Sequence, residues 1–144
     1  MLQDILRWGL IIFLILVSNL VYTEVQGYLA ANAAFLAIKA FSAKSKISLA
    51  IIFTAFNFIG AIFTAIITAL PCGYLARKQS NIIAILILVS TQSIPTYVVF
   101  QDSSYELFIT LVWIGQILTC AISVFAFSEI GRRIAAKNLN SADV

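Results

Sequence analysis

Four side-chain amides, Asn19, Asn57, Gln92 and Gln116, stand near the middle of four apolar stretches of this chain. A carboxamide both donates and accepts hydrogen bonds and carries no charge. Four of them at one depth can bond one another across helices, or can hold an uncharged solute by its polar groups. Neighbours widen the set: Ser18 in the first stretch, Thr91 beside Gln92, and Thr119 and Ser123 at helical spacing from Gln116. An amide turned toward lipid would leave donors and acceptors without water, at a cost of several kcal/mol. The amides are therefore expected to point inward.

Other chemistry is thinly represented. The chain has no histidine, which removes the commonest zinc ligand and the easiest proton relay. Cys72 and Cys120 both fall in apolar segments and read as packing residues. No nucleophile triad, metal cluster, Gly-rich phosphate loop or CxxC is evident. Glu24, Asp102 and Glu106 would have to converge on one face, where a six-residue loop gives little wall. No enzyme activity, cofactor or metal is expected.

The composition explains what positions the amides. Hydrophobic residues make up 62% of the 144, charged residues 10%, and the mean hydropathy is +1.03. Soluble domains carry about 25% charged residues. The class is an integral, multi-pass membrane protein forming a single domain over residues 1–144. About 20 apolar residues cross the hydrocarbon core as a helix. Four stretches qualify: about 8–26, 47–70, 81–100 and 107–128. The second is expected to end at Pro71, Cys72 and Gly73. Short loops predict antiparallel neighbours for spans two and three, and for three and four. The run after Arg7 resembles a signal peptide, but Asp4 and the lack of a small-residue cleavage site favour a retained first helix.

Basic residues orient the four-helix bundle. Arg7, Arg77, Lys78, Arg132, Arg133 and Lys137 fall on one face; Lys39, Lys44 and Lys46 fall on the other. Six against three predicts both termini inside, in a bacterial cytoplasmic (inner) membrane. The net charge of +3 sits at segment ends, so it speaks of orientation and not of nucleic acid. Trp8 and Tyr74 are placed near the inner boundary; Tyr22, Tyr28, Tyr97 and Tyr105 near the outer one. Residues 27–46 either extend span one or lie along the outer surface. Glu24 is expected near the outer end of span one.

Two further patterns matter. Pro95 lacks an N–H, so the Thr91 carbonyl loses its helical partner, and Ser90, Thr91 and Ser93 are available to satisfy it. The result is a helix kink aimed at the polar layer. In span two, small residues form two adjacent rows: Asn57, Ala61, Ala65, Ala69 and Gly73, and Gly60, Thr64, Thr68 and Cys72. Such rows let helix backbones approach closely. Whether this seam meets a helix of the same chain or of another subunit stays open.

Two functional readings follow. The first is a non-catalytic subunit that assembles, stabilises or regulates a larger membrane complex, through a membrane-protein partner or self-association. The second is a small-solute carrier or channel, working as a homo-oligomer, with its site at the mid-membrane polar layer. At the inner rim, Arg77, Lys78, Arg132, Arg133 and Lys137 are expected to meet anionic lipid headgroups of the bilayer. Lipid handling there is a third, weaker reading.

Overall fold

The computed structural model describes residues 2–40, 46–101 and 107–140, with side chains described for 2–32, 49–101 and 108–139. Lys44, Asp102, Tyr105 and Glu106 lie outside the described residues, as do the side chains of Lys39 and Lys46. Five α-helices follow one another: α1 (Leu2–Ala40), α2 (Lys46–Ile67), α3 (Ala69–Ala76), α4 (Ser80–Gln101) and α5 (Leu107–Asn140), with a 3-10 turn at Arg77–Gln79 between α3 and α4. No strand occurs among the described residues.

Three stretches are long and apolar enough to cross a membrane: Leu2–Asn32, Leu49–Gln101 and Phe108–Leu139. The middle one has 53 residues and is not straight. Gly115 of α5 faces Thr54 near one end of it, and Trp113, two residues away, donates to Thr96 Oγ1 near the other (3.3 Å). Such a stretch therefore folds back on itself. The reversal falls at Arg77, whose φ of 51° is the one positive value among the described non-glycine residues.

Pairs of contacts fix the directions. Gln26 of α1 donates to the Asn57 carbonyl of α2 (3.0 Å), while Arg7 and Trp8 share a cleft with Ala76 and Arg77, so α1 and α2–α3 run antiparallel. Ser90 of α4 donates to the Ile15 carbonyl (3.1 Å), and α4 runs parallel to α1. Phe53 meets Phe108 edge-on at one end of α2 and α5, and Gly73 meets Ser128 further along, so these two are parallel. Around the bundle the order is α1, α2–α3, α5, α4.

Several expectations are corrected. The second and third apolar stretches are diagonal rather than adjacent, and meet only where α3 runs into the turn. The cause is the close packing of α2–α3 on α5, which occupies the face α4 would use. Pro71 does not end the second helix. Pro is tolerated in a first helical turn, and here it sits at the start of α3, with the break at Thr68 instead (φ −115°, ψ −54°). Residues 27–40 continue α1 as helix, and α5 runs past 128 to Asn140.

The bundle is small and polar inside, bulky and apolar outside. Ala61, Ala65, Ala69, Cys72, Ala84 and Cys120 are fully buried, together with Ser18, Thr64, Thr68 and Thr91. Leu16, Leu20, Ile51, Phe63, Val89 and Ile122 are exposed. In lipid, helix association rests on close van der Waals contact rather than on hydrophobic drive, and small residues collect at the contacts. The seam of α2–α3 is used this way within the chain. Gly60 faces Gln26 and Leu29 of α1, and Gly73 faces the Ser128 backbone of α5. The seam threonines return their hydroxyls to their own helix, Thr64 to the Gly60 carbonyl (3.0 Å) and Thr68 to the Thr64 carbonyl (2.7 Å). Ala65→Leu is expected to overfill this seam and lower stability by about 1–3 kcal/mol. Unfolding in detergent reads it; an unchanged midpoint would mean that the seam has slack.

Candidate functional site

On α1, the row Ile11, Ile15, Ser18, Tyr22 and Gln26 follows steps of four, three, four and four, so it lies on one helix face. Ile11, Ser18 and Tyr22 are buried in the bundle. Asn19, one position round from Ser18, is only half-buried, and its Oδ1 accepts from Thr23 Oγ1 (3.2 Å). The first helix thus brings Tyr22 and Gln26 to the polar layer in place of Asn19. Tyr22, expected at the outer boundary, is 1% exposed. The spacing of that row carried the signal; an interfacial reading of tyrosine concealed it.

The other three amides do converge. Asn57 and Gln92 are buried, and Gln116 is half-buried. The Tyr22 hydroxyl stands among the side chains of Gln26, Gln92 and Gln116. Neither this hydroxyl, nor Gln26 Oε1, nor either polar atom of Gln92 makes a hydrogen bond of full geometry, although all are buried and stand close to one another, and Gln92 also stands close to the Cys120 thiol. Buried polar atoms are normally paired. Four unpaired ones in one place form a concentrated exception, and such groups cost about 1–3 kcal/mol each.

A chamber of about 410 Å³, a groove more open than enclosed, lies beside this cluster. All four long helices build it. Tyr22, Gln26, Asn57 and Gln116 supply its polar wall, and Phe53, Ile94, Val99 and Val112 most of its apolar one. Its size lies in the range of small-molecule sites, which are mainly apolar with a few placed polar groups. Among the described residues, no Asp, Glu, Lys or Arg lines it. It lies toward the end of the bundle opposite the basic cluster.

Below the chamber the polar residues are satisfied locally. Thr91 Oγ1 donates to the Ile87 carbonyl (2.9 Å) and lies 3.4 Å from Cys120 Sγ. Ser123 donates to the Thr119 carbonyl (2.8 Å), and Thr119 to the Gln116 carbonyl (3.1 Å). Ser18 donates to the Ile15 carbonyl (2.6 Å). These hydroxyls belong to their own helices and do not extend the cluster. Pro95 sits inside α4 and lines the chamber. The hydroxyls expected to satisfy the freed Thr91 carbonyl are engaged elsewhere: Ser90 on Ile15 of α1, Thr91 on its own helix, and Ser93 on the Ser90 carbonyl (3.0 Å).

At the other end, Arg7, Trp8, Arg77, Lys78 and Gln79 line a cleft of about 420 Å³. Arg77 and Lys78 also border a second one with Arg132. Glu129 accepts from both Arg132 (2.7 Å) and Arg133 (2.8 Å), an exposed pair of contacts within α5 and not at its end. Arg77, Lys78 and Lys137 are exposed at this rim, while Glu24 is exposed toward the opposite end. Cys72 and Cys120 are buried free thiols.

No family model matches this chain, and no curated protein or solved structure matches it either.

Proposed function

We propose that this chain is a four-crossing membrane protein that binds a small uncharged solute in the chamber and carries it within or across the bilayer. The observation that carries the reading is the chamber itself: four helices converge on a buried phenol and amides, among which the Tyr22 hydroxyl, Gln26 Oε1 and the Gln92 atoms lack a fully formed hydrogen bond. Amides and a phenol both donate and accept without charge. They suit a neutral ligand head, and an ion held there would lose its hydration without a counter-charge. The alternative, a non-catalytic subunit of a larger complex, drew on the small-residue seam. That seam is filled from within the chain by Gln26, Leu29 and Ser128, which leaves the solute site as the reading with geometry behind it.

Ligand linkage tests this directly. A compound that binds the folded state alone raises the unfolding midpoint. In detergent-purified protein, neutral alcohols and amides of increasing chain length are expected to raise the midpoint, and Gln116→Leu to abolish the rise. Carboxylates and amines of the same length are expected to do nothing. Equal shifts from charged and neutral compounds, or no shift from any, would sink the reading.

The topology belongs to the same proposal. The Leu49–Gln101 stretch reverses at Arg77 and crosses twice, so both termini and the Arg7, Arg77, Lys78, Arg132, Arg133 and Lys137 rim face the cytoplasm of a bacterial inner membrane. The two native cysteines are buried at 0% exposure, so an introduced thiol reports alone. Ser103→Cys is expected to react with an impermeant maleimide added to whole cells, and Asn140→Cys only after lysis. The opposite pattern would invert the assignment.

A further inference from the structure

The chamber has a side opening as well as a floor. The Ser90–Ile15 hydrogen bond ties α4 to α1 at one level. From that anchor, one helical turn at a time, α1 presents Asn19, Thr23 and Gly27, and α4 presents Ile94 and Val98. The helices run parallel, so these two rows face each other along the next two to three turns. Thr23, Gly27, Ile94 and Val98 all line the chamber. All four are also exposed at the bundle surface. A Cβ added at Gly27 would meet nothing within 4 Å. Pro95, next to Ile94 and also lining the chamber, removes a backbone donor, which loosens that helix beside the gap.

A water-filled route for a polar solute would be walled by polar side chains. The jambs here are Gly27, Ile94 and Val98, with Thr23 alone carrying a hydroxyl, and they lie within stretches apolar enough to span the bilayer. What passes them must be at home in hydrocarbon. What the floor holds must hydrogen-bond without charge. Resting on the solute-site reading, we propose that the chamber takes a neutral lipophile bearing an alkyl chain and one hydroxyl or amide head, admitted from the bilayer through the gap between α1 and α4. The head reaches Tyr22, Gln26 and Gln116, and the chain stays between the jambs. A chamber of about 410 Å³ accommodates such a head and the first part of a chain, while the rest extends into lipid.

Photolabelling of the full chain in phosphatidylcholine vesicles tests this, with a diazirine-bearing octanol as lipophile and a diazirine-bearing propanol as its water-soluble counterpart. Octanol is expected to label Tyr22, Val99 or Val112 saturably, in competition with unlabelled octanol, and propanol is not. Gly27→Trp and Val98→Trp fill the gap from opposite jambs, and each is expected to lose saturable octanol labelling while eluting as the wild-type species. If both variants label as wild type does, side access is overturned and the solute site survives. Saturable labelling of the wild-type protein by propanol alone would overturn the lipophile and also leave the solute site standing. No saturable labelling by either probe would overturn both. The comparison of the two probes uses wild-type protein, so it decides even where a tryptophan variant fails to fold.

Discussion

Gly131→Ala is expected to be the most damaging single-methyl change in the chain. A Cβ at 131 would press on the Leu70 carbonyl and the Tyr74 amide nitrogen, and one at Gly73 would press on the Ser128 carbonyl. The two glycines therefore mark a crossing at which the backbones of α3 and α5 touch on both sides. A flexible side chain can swing away from a new methyl group; a helical backbone cannot. Overpacking costs about 1–3 kcal/mol where neighbours can adjust, and here the helices themselves must separate. The upper end of that range is expected for either variant, and loss of folded protein for the pair. Gly9 and Gly27 provide the control, since nothing lies within 4 Å of a Cβ at either. Alanine at those positions is expected to be neutral or stabilising by about 0.5–1 kcal/mol through helix propensity. Unfolding midpoints of the four variants in one detergent check both halves. Equal effects at Gly131 and Gly9 would show that the crossing is loose.

The small residues of α2 and α3 were legible as a seam because every-fourth-residue spacing of Ala and Gly has one common use in lipid. Their partner was not legible. Gly131 carries no such row, and its role depends on which face α5 turns to α3. The inward placement of Asn57 and Gln92 was legible, because burial follows from the cost of an amide in hydrocarbon, while Gln116 is half-buried. Asn19 was misplaced for a physical reason. Counting depth along a helix says nothing about rotation, and its exposed side finds a local partner in Thr23. Tyr22 was hidden because a tyrosine near a span end has a plausible interfacial role. Only its register with Ile11, Ile15 and Ser18 distinguishes the interior position. The diagonal placement of α2 and α4 could not be read from loop length. A short turn makes helices antiparallel, and the α3–α5 glycine crossing then decides which helix becomes the neighbour.

Gln92→Leu separates the two uses a buried amide layer can have. If Gln92 were structural glue, its removal would cost an interhelical hydrogen bond, about 0.6–2 kcal/mol in a membrane protein. Its Nε2 and Oε1 are both buried beside the Tyr22 hydroxyl and the Cys120 thiol and make no hydrogen bond of full geometry, so any bond lost is a weak one. An apolar side chain of similar volume removes two unpaired atoms, and a gain of about 1–3 kcal/mol is expected. Binding is expected to move the other way, because Gln92, although not a wall of the chamber, stands against the Tyr22 hydroxyl that is one. The variant should therefore unfold at a higher midpoint and show no further rise with neutral alcohols. That combination, stability gained and ligand response lost, is the trade expected of a site whose polar groups are kept unpaired for a ligand. A lower midpoint with the ligand response intact would return Gln92 to a structural role.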